Sequence, residues 1–144
     1  MQQYKNNHGF KFRDWRVYIG GREFRREILK LVKHFPKEEL YSLVDQIRRA
    51  LNSILLNLAE GSNKNTDKDT RVYINRSQGS LDEVVACLDC ALDDNYIDSG
   101  QHEVALVQAE ALAKQLTNFS IYLSKDKALG AKNAFNSQRP RTKD

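Results

Sequence analysis

Apolar residues recur at alternating steps of three and four in four stretches of this chain, and no feature constrains the fold more. Val17, Gly21, Phe24, Ile28, Leu31 and Phe35 form the first series, and Leu40, Leu43, Ile47, Ala50, Ile54 and Leu58 the second. Ile74, Leu81, Val84, Leu88 and Ala91 form the third, and Ala105, Ala109, Leu112, Leu116, Phe119 and Leu123 the fourth. A period of about 3.6 residues places each series on one helix face, and no stretch sustains strand alternation. The expected helices span about 15–35, 38–60, 67–94 and 99–124. With only 2 Pro and 7 Gly, a turn-rich all-β fold is disfavoured. Short connections make consecutive helices antiparallel. The expected fold is all-α, an antiparallel up-down-up-down four-helix bundle over residues 1–124, followed by a basic, flexible tail over 125–144.

Local signals mark the ends. Pro36 stops the first helix, and Lys37-Glu38-Glu39 gives the second an acidic first turn. Gly61 reads as a left-handed C′ residue. Thr66 with Asp69 resembles a capping box, and Asp98 or Ser99 opens the fourth helix. Gly20 and Gly21 each cost a helix about 1 kcal/mol, which implies close approach by another helix.

The length suits one domain that folds without metal or disulfide. The longest apolar run, Ile54 to Ala59, is broken by Asn57, so no membrane span or membrane partner is expected. The first twelve residues lack the apolar stretch of a signal peptide, which points to the cytoplasm. Charge is segregated. Residues 1–34 hold nine basic and three acidic groups, residues 79–124 only Lys114 against eight acidic groups, and residues 125–144 six basic against two acidic. Such a dipole can be satisfied within one bundle or head to tail between copies.

A second stripe runs beside the apolar one. Gln46, Arg49, Ser53, Asn57 and Glu60 share a face of the second helix, and Arg76, Ser80 and Glu83 match them on the third, with Gly79 leaving room for backbone approach. Ser and Asn are weak helix formers, so their regular spacing suits a face that packs closely and hydrogen-bonds. Pairs Arg49–Glu83 and Arg76–Glu60 are expected. The stripe fits a polar seam inside one subunit or a surface facing another subunit or a ligand.

At these residues the chain resembles a known family. Gln46-Ile47-Arg48-Arg49-Ala50, Ser53-Ile54, Asn57-Leu58-Ala59-Glu60-Gly61 and Gly79-Ser80-Leu81 match, at family spacing, the bacterial four-helix-bundle proteins associated with 23S rRNA intervening sequences. The likeness covers about Phe12 to Leu123. It departs at Leu55, where the family often has Pro, and at Tyr18, where it usually has Trp. The resemblance implies a ring-shaped homopentamer with no known enzyme activity. It also implies a distant likeness to the accessory variability protein of diversity-generating retroelements, which serves a reverse transcriptase. That makes RNA, DNA, a reverse transcriptase or another protein the expected partner.

Catalytic patterns are missing from the sequence. Cys87 and Cys90 form one Cys-x-x-Cys pair in mid-helix, without the second pair that zinc needs, and read as packing thiols. His8, His34 and His102 are scattered, there is no Gly-x-Ser-x-Gly, and no Glu has His three residues later. No catalytic residue, metal or cofactor is expected. The binding case rests on cations: Arg13, Arg16, Arg22, Arg25, Arg26 and Lys30 on and before the first helix, Arg48 on the second, and Lys132, Arg139 and Arg141 in the tail. Phosphate binding needs a surface of this kind. Phe12, Trp15 and Tyr18 lie among these residues, either to stack on bases or to staple the helix end to the core. The expected function is a non-enzymatic oligomeric protein associated with RNA or other nucleic acid; the alternative is a ring-shaped scaffold that docks a protein.

Overall fold

A computed structural model of the chain describes residues 8–124. Four α-helices follow one another: α1 Arg16–Val32, α2 Leu43–Gly61, α3 Asp67–Asp93 and α4 Ser99–Tyr122. Short 3-10 turns precede α1 (Lys11–Asp14) and α2 (Lys37–Glu39). Packing runs in the cyclic order α1–α2–α3–α4 and back to α1, and the α2–α3 contact is the most extensive. Each neighbouring pair is antiparallel: Gly21 meets Leu55 and Arg25 meets Asn52, while Ile54 meets Ser77 and Gly61 meets Thr70. Asp89 lies by His102 and Gln78 by Thr117, and Trp15 lies by Phe119. The expected four-helix bundle is thus the fold.

The core contains the expected third and fourth series entire, with Ile74, Val84, Leu88, Ala91 and Leu116 sealed off completely. In α1, Val32 replaces Leu31 as the buried residue beside Ile28. Val44 and Leu51 join the α2 face. Capping explains the helix starts. Asp98 accepts from Gln101 N at 2.8 Å while the Gln101 side chain accepts from Asp98 N at 3.0 Å, a full capping box. Thr66 Oγ1 accepts from Asp69 N at 3.1 Å.

Three local expectations are corrected. First, α2 starts at Leu43 rather than near residue 38. The Glu39 carboxylate accepts from Ser42 Oγ (2.5 Å), Leu43 N (3.3 Å) and Tyr96 Oη (2.9 Å), so it caps the helix from outside. Leu40 then lies in the linker, half exposed and out of the core. Second, Gly61 is the last residue of α2 and not a left-handed cap. Its role is clearance: a Cβ there would lie 2.7 Å from Tyr73 Cβ. The left-handed residue is Asn95 (φ 61°), which closes α3 with Tyr96 N donating to Ala91 O and Asn95 N to Leu92 O, a Schellman motif. Third, a Cβ at Gly79 would meet no atom within 4 Å among the described residues, so none of the other three helices closes on it. Gly20 and Gly21 do make room, for Gln115 (2.7 Å) and Leu55 (2.8 Å).

Candidate nucleic-acid interface

The Gly21–Leu55 approach draws α1 against α2, and long side chains flank it. Arg22, Arg25 and Arg26 stand at i, i+3 and i+4 on α1 and so share one face. They line a groove of about 320 Å³ with Tyr18 from α1 and Asn52, Leu55 and Leu56 from α2. Arg25 Nε donates to Asn52 Oδ1 at 2.8 Å, tying the two helices at this point. Arg48, exposed, precedes Asn52 by one turn and extends the basic face along α2. Three guanidiniums about one helical turn apart bring positive charge to the wall of one concavity, the arrangement that attracts anions.

The other candidate cations are placed differently. Lys30 Nζ pairs with Glu27 Oε1 at 3.2 Å, beyond the groove. Arg13 and exposed Arg16 flank Trp15 at the entry to α1, about two turns from Arg22. Lys132, Arg139 and Arg141, with the tail, lie outside the described residues. Trp15 is buried with its ring edge-on to Phe119 at 4.7 Å, and Phe12 packs edge-on against Tyr18 at 4.9 Å. Trp15 therefore staples the helix to the core, and Tyr18 alone of the three aromatics lines the groove.

The polar stripe divides along its length. Ser53 Oγ and Ser80 Oγ share a hydrogen bond of 2.8 Å, and Asn57 Nδ2 donates to Ser53 O (2.9 Å) and Ser53 Oγ (3.0 Å). The Ser53–Ser80 bond joins α2 to α3 within one chain, and the Asn57 bonds, one turn back along α2, fix the Ser53 end of it. The expected ion pairs do not form. Arg49 Nη1 reaches back one turn to Asp45 Oδ2 at 3.4 Å, and the Arg76 guanidinium lies over the Tyr73 ring at 4.6 Å. Tyr73 Oη in turn approaches Glu60 Oε1 at 3.5 Å. An i, i+4 partner or a neighbouring ring costs a long side chain less ordering than a bond across to another helix. Gln46, Arg49 and Glu83 face outward.

Of the thiols, Cys87 is buried and Cys90 exposed, so only the first packs. Burial, with the charge of Glu83 and the neighbouring Cys90 behind it, pushes the Cys87 thiol up from its ordinary value. Among the described residues no group of three His, Cys, Asp or Glu side chains is arranged to hold a metal, and no helix is long and apolar enough to cross a membrane.

The model of the 23S rRNA-intervening sequence protein family matches residues 13–118. The chain belongs to this family. The match runs from the entry to α1 into the last turns of α4, so the basic groove lies wholly inside it and residues 125–144 lie beyond it. A crystal structure of a protein of unknown function from the S23 ribosomal protein family of Bacteroides thetaiotaomicron is similar, with a TM-score of 0.65 and 22% identity. The similarity covers 72% of this chain and 97% of that one, and it carries the fold. No curated protein matches.

The sequence alone passed over Asn52, Leu55 and Leu56. Leu55 and Leu56 follow Ile54 directly and exceed what one core face can bury, a surplus that was the available signal.

Proposed function

We propose that this chain is a non-enzymatic, cytoplasmic, oligomeric binding protein that associates with RNA or other nucleic acid through the α1–α2 face. The observation that carries the reading is the groove that gathers Arg22, Arg25 and Arg26. The family's tie to intervening sequences in 23S rRNA supports RNA as the ligand. Cyclic assembly, as a homopentamer, would repeat the groove around a ring and multiply the charge that a polyanion meets.

Salt dependence tests this. Four phosphate contacts predict a log–log slope of about −0.7 to −0.9 each, hence a roughly 50- to 150-fold loss of affinity between about 50 and 200 mM salt. Arg22→Gln with Arg26→Gln should flatten that slope by about 2, whereas deleting residues 125–144 should leave most of it. Absence of binding to both RNA and DNA at low salt would exclude the reading.

A second reading has its own support. Val104 and Val107 are more than half exposed on α4, on the acidic side of the molecule. They favour a scaffold that docks a protein, a reverse transcriptase among the candidates, without reading nucleic acid itself. Light scattering with and without RNase separates the two, since only the first loses mass on RNase treatment.

A further inference from the structure

The α1–α2 groove is more than a patch of charge. Two leucines line it as well: Leu55 is half-buried, and Leu56 is 67% exposed. One exposed Leu is ordinary on a protein surface. Here it stands beside a tyrosine ring and three guanidiniums, around a concavity at the lower end of small-ligand sites, about 300 Å³. Phe12 braces the Tyr18 ring edge-on at 83°, so the ring is oriented before any ligand arrives. The Arg25–Asn52 bond also has a chemical consequence. With Asn52 Oδ1 accepting from Arg25 Nε, the amide is held and its NH₂ remains the donor end.

Apolar side chains beside a tyrosine ring, a fixed amide donor and flanking guanidiniums together suit a ligand with a planar ring, acceptors on its edge and phosphates to either side. We propose that this groove seats one unpaired nucleotide of single-stranded RNA. The base packs on Leu55, Leu56 and Tyr18, Asn52 donates to an acceptor on the base edge, and Arg22 and Arg26 meet the adjoining phosphates. A duplex hides its base faces inside the stack and offers only phosphate and sugar. It would engage the arginines and leave Leu56 uncovered. This inference rests on the nucleic-acid reading above and adds strandedness to it.

The test uses the full chain, a fluorescent twelve-nucleotide oligo-uridine, the matching single-stranded DNA, and an RNA hairpin whose stem is of equal length. Anisotropy should show the oligo-uridine bound at least about tenfold more tightly than the hairpin at equal salt. Leu56→Ala should weaken oligo-uridine binding about fivefold, at the low end of base-stacking effects, and leave hairpin affinity and salt slope unchanged. Because Leu56 is exposed, this variant keeps the core intact. Leu56→Trp should tighten the single strand and report it by quenching of the new indole, distinct from buried Trp15. Equal binding of the DNA strand supports the groove and widens it to unpaired nucleotides of either sugar. Equal affinity for oligo-uridine and hairpin would overturn the inference while leaving the phosphate reading in place. So would a Leu56→Ala variant that changes oligomer mass and not RNA affinity, since a second copy of the chain would then cover the groove. Failure of every probe to bind at low salt removes both.

Discussion

Ser77 Oγ donates to the Ile54 carbonyl oxygen across 2.8 Å, at a point where both residues are sealed from solvent. A hydroxyl is small enough to let α3 lie close on α2, and the carbonyl gives its proton a partner. The same device recurs one end along, where buried Thr70 Oγ1 donates to Gly61 O at 2.9 Å. The α2–α3 pair is thus a seam in which buried hydroxyls bond directly to the backbone of the facing helix.

Ser77→Ala should cost about 1 kcal/mol, the usual net worth of one buried hydrogen bond. Ser77→Val restores volume on the wrong shape and should cost about 1–3 kcal/mol by overpacking. Urea unfolding monitored by circular dichroism checks both, and a Val variant more stable than the Ala variant would contradict the close-approach account.

Three glycines respond differently to Ala. Gly61→Ala drives a Cβ to 2.7 Å from Tyr73 Cβ, which is anchored to its own backbone, so α2 and α3 must separate and Tm must fall. Gly20→Ala meets only the terminal Oε1 of Gln115, which can swing away. Gly79→Ala meets nothing and should gain about 0.8–1.0 kcal/mol of helix propensity. If Gly79 packs against another subunit, the same variant gains monomer stability and loses assembly, a split that thermal melts and light scattering read separately.

Stability should fall in acid partly through Glu39. Hydrogen bonds from Ser42, then Tyr96, then the Leu43 amide hold its carboxyl below the ordinary value. A lowered folded pKa contributes stability that is present above the unfolded value, about 4.3, and is lost as pH falls through the folded one. The Tyr96 phenol is raised, chiefly by the bond to Glu39. Its contribution is complete below about pH 10 and is lost as pH rises through its folded pKa. Tyr96→Phe should shrink the alkaline loss and move the acid transition upward in a pH series of thermal melts.

Arg49 is a probe of assembly because its own fold contribution is small. The exposed i, i+4 pair with Asp45 is worth about 0.3–0.5 kcal/mol at most. Arg49→Ala should leave unfolding within about 0.5 kcal/mol of the parent and, if the proposed assembly uses this stripe as its interface, shift the light-scattering mass to smaller species. An unchanged mass would remove the stripe as an interface between copies.

Thiol labelling should distinguish the two cysteines. Native protein should react rapidly at Cys90 alone, and a second equivalent should appear only in denaturant, because Cys87 is buried and its thiolate disfavoured. Two rapid equivalents in the native state would contradict the packing of Cys87.

The sequence by itself determined the number and order of the helices and most of the core, because a 3.6-residue period and the need to bury one face act locally along the chain. Ala105, Leu112 and Leu116 on α4 are placed by that rule alone, and so is the clustering of Arg22, Arg25 and Arg26 on one face of α1. Only the tertiary structure decided which neighbour each polar group meets. Arg49 turned to Asp45, Arg76 to Tyr73, Glu39 to the Tyr96 hydroxyl from a distant linker, and Gly61 took its meaning from Tyr73 on the next helix. Long side chains choose among several reachable partners by differences of a few tenths of a kcal/mol, and spacing in one helix carries no record of the helix beside it. The groove is of that second kind. Asn52 and Leu56 became its walls because Gly21 lets α2 close on α1, a contact between residues 34 positions apart along the chain.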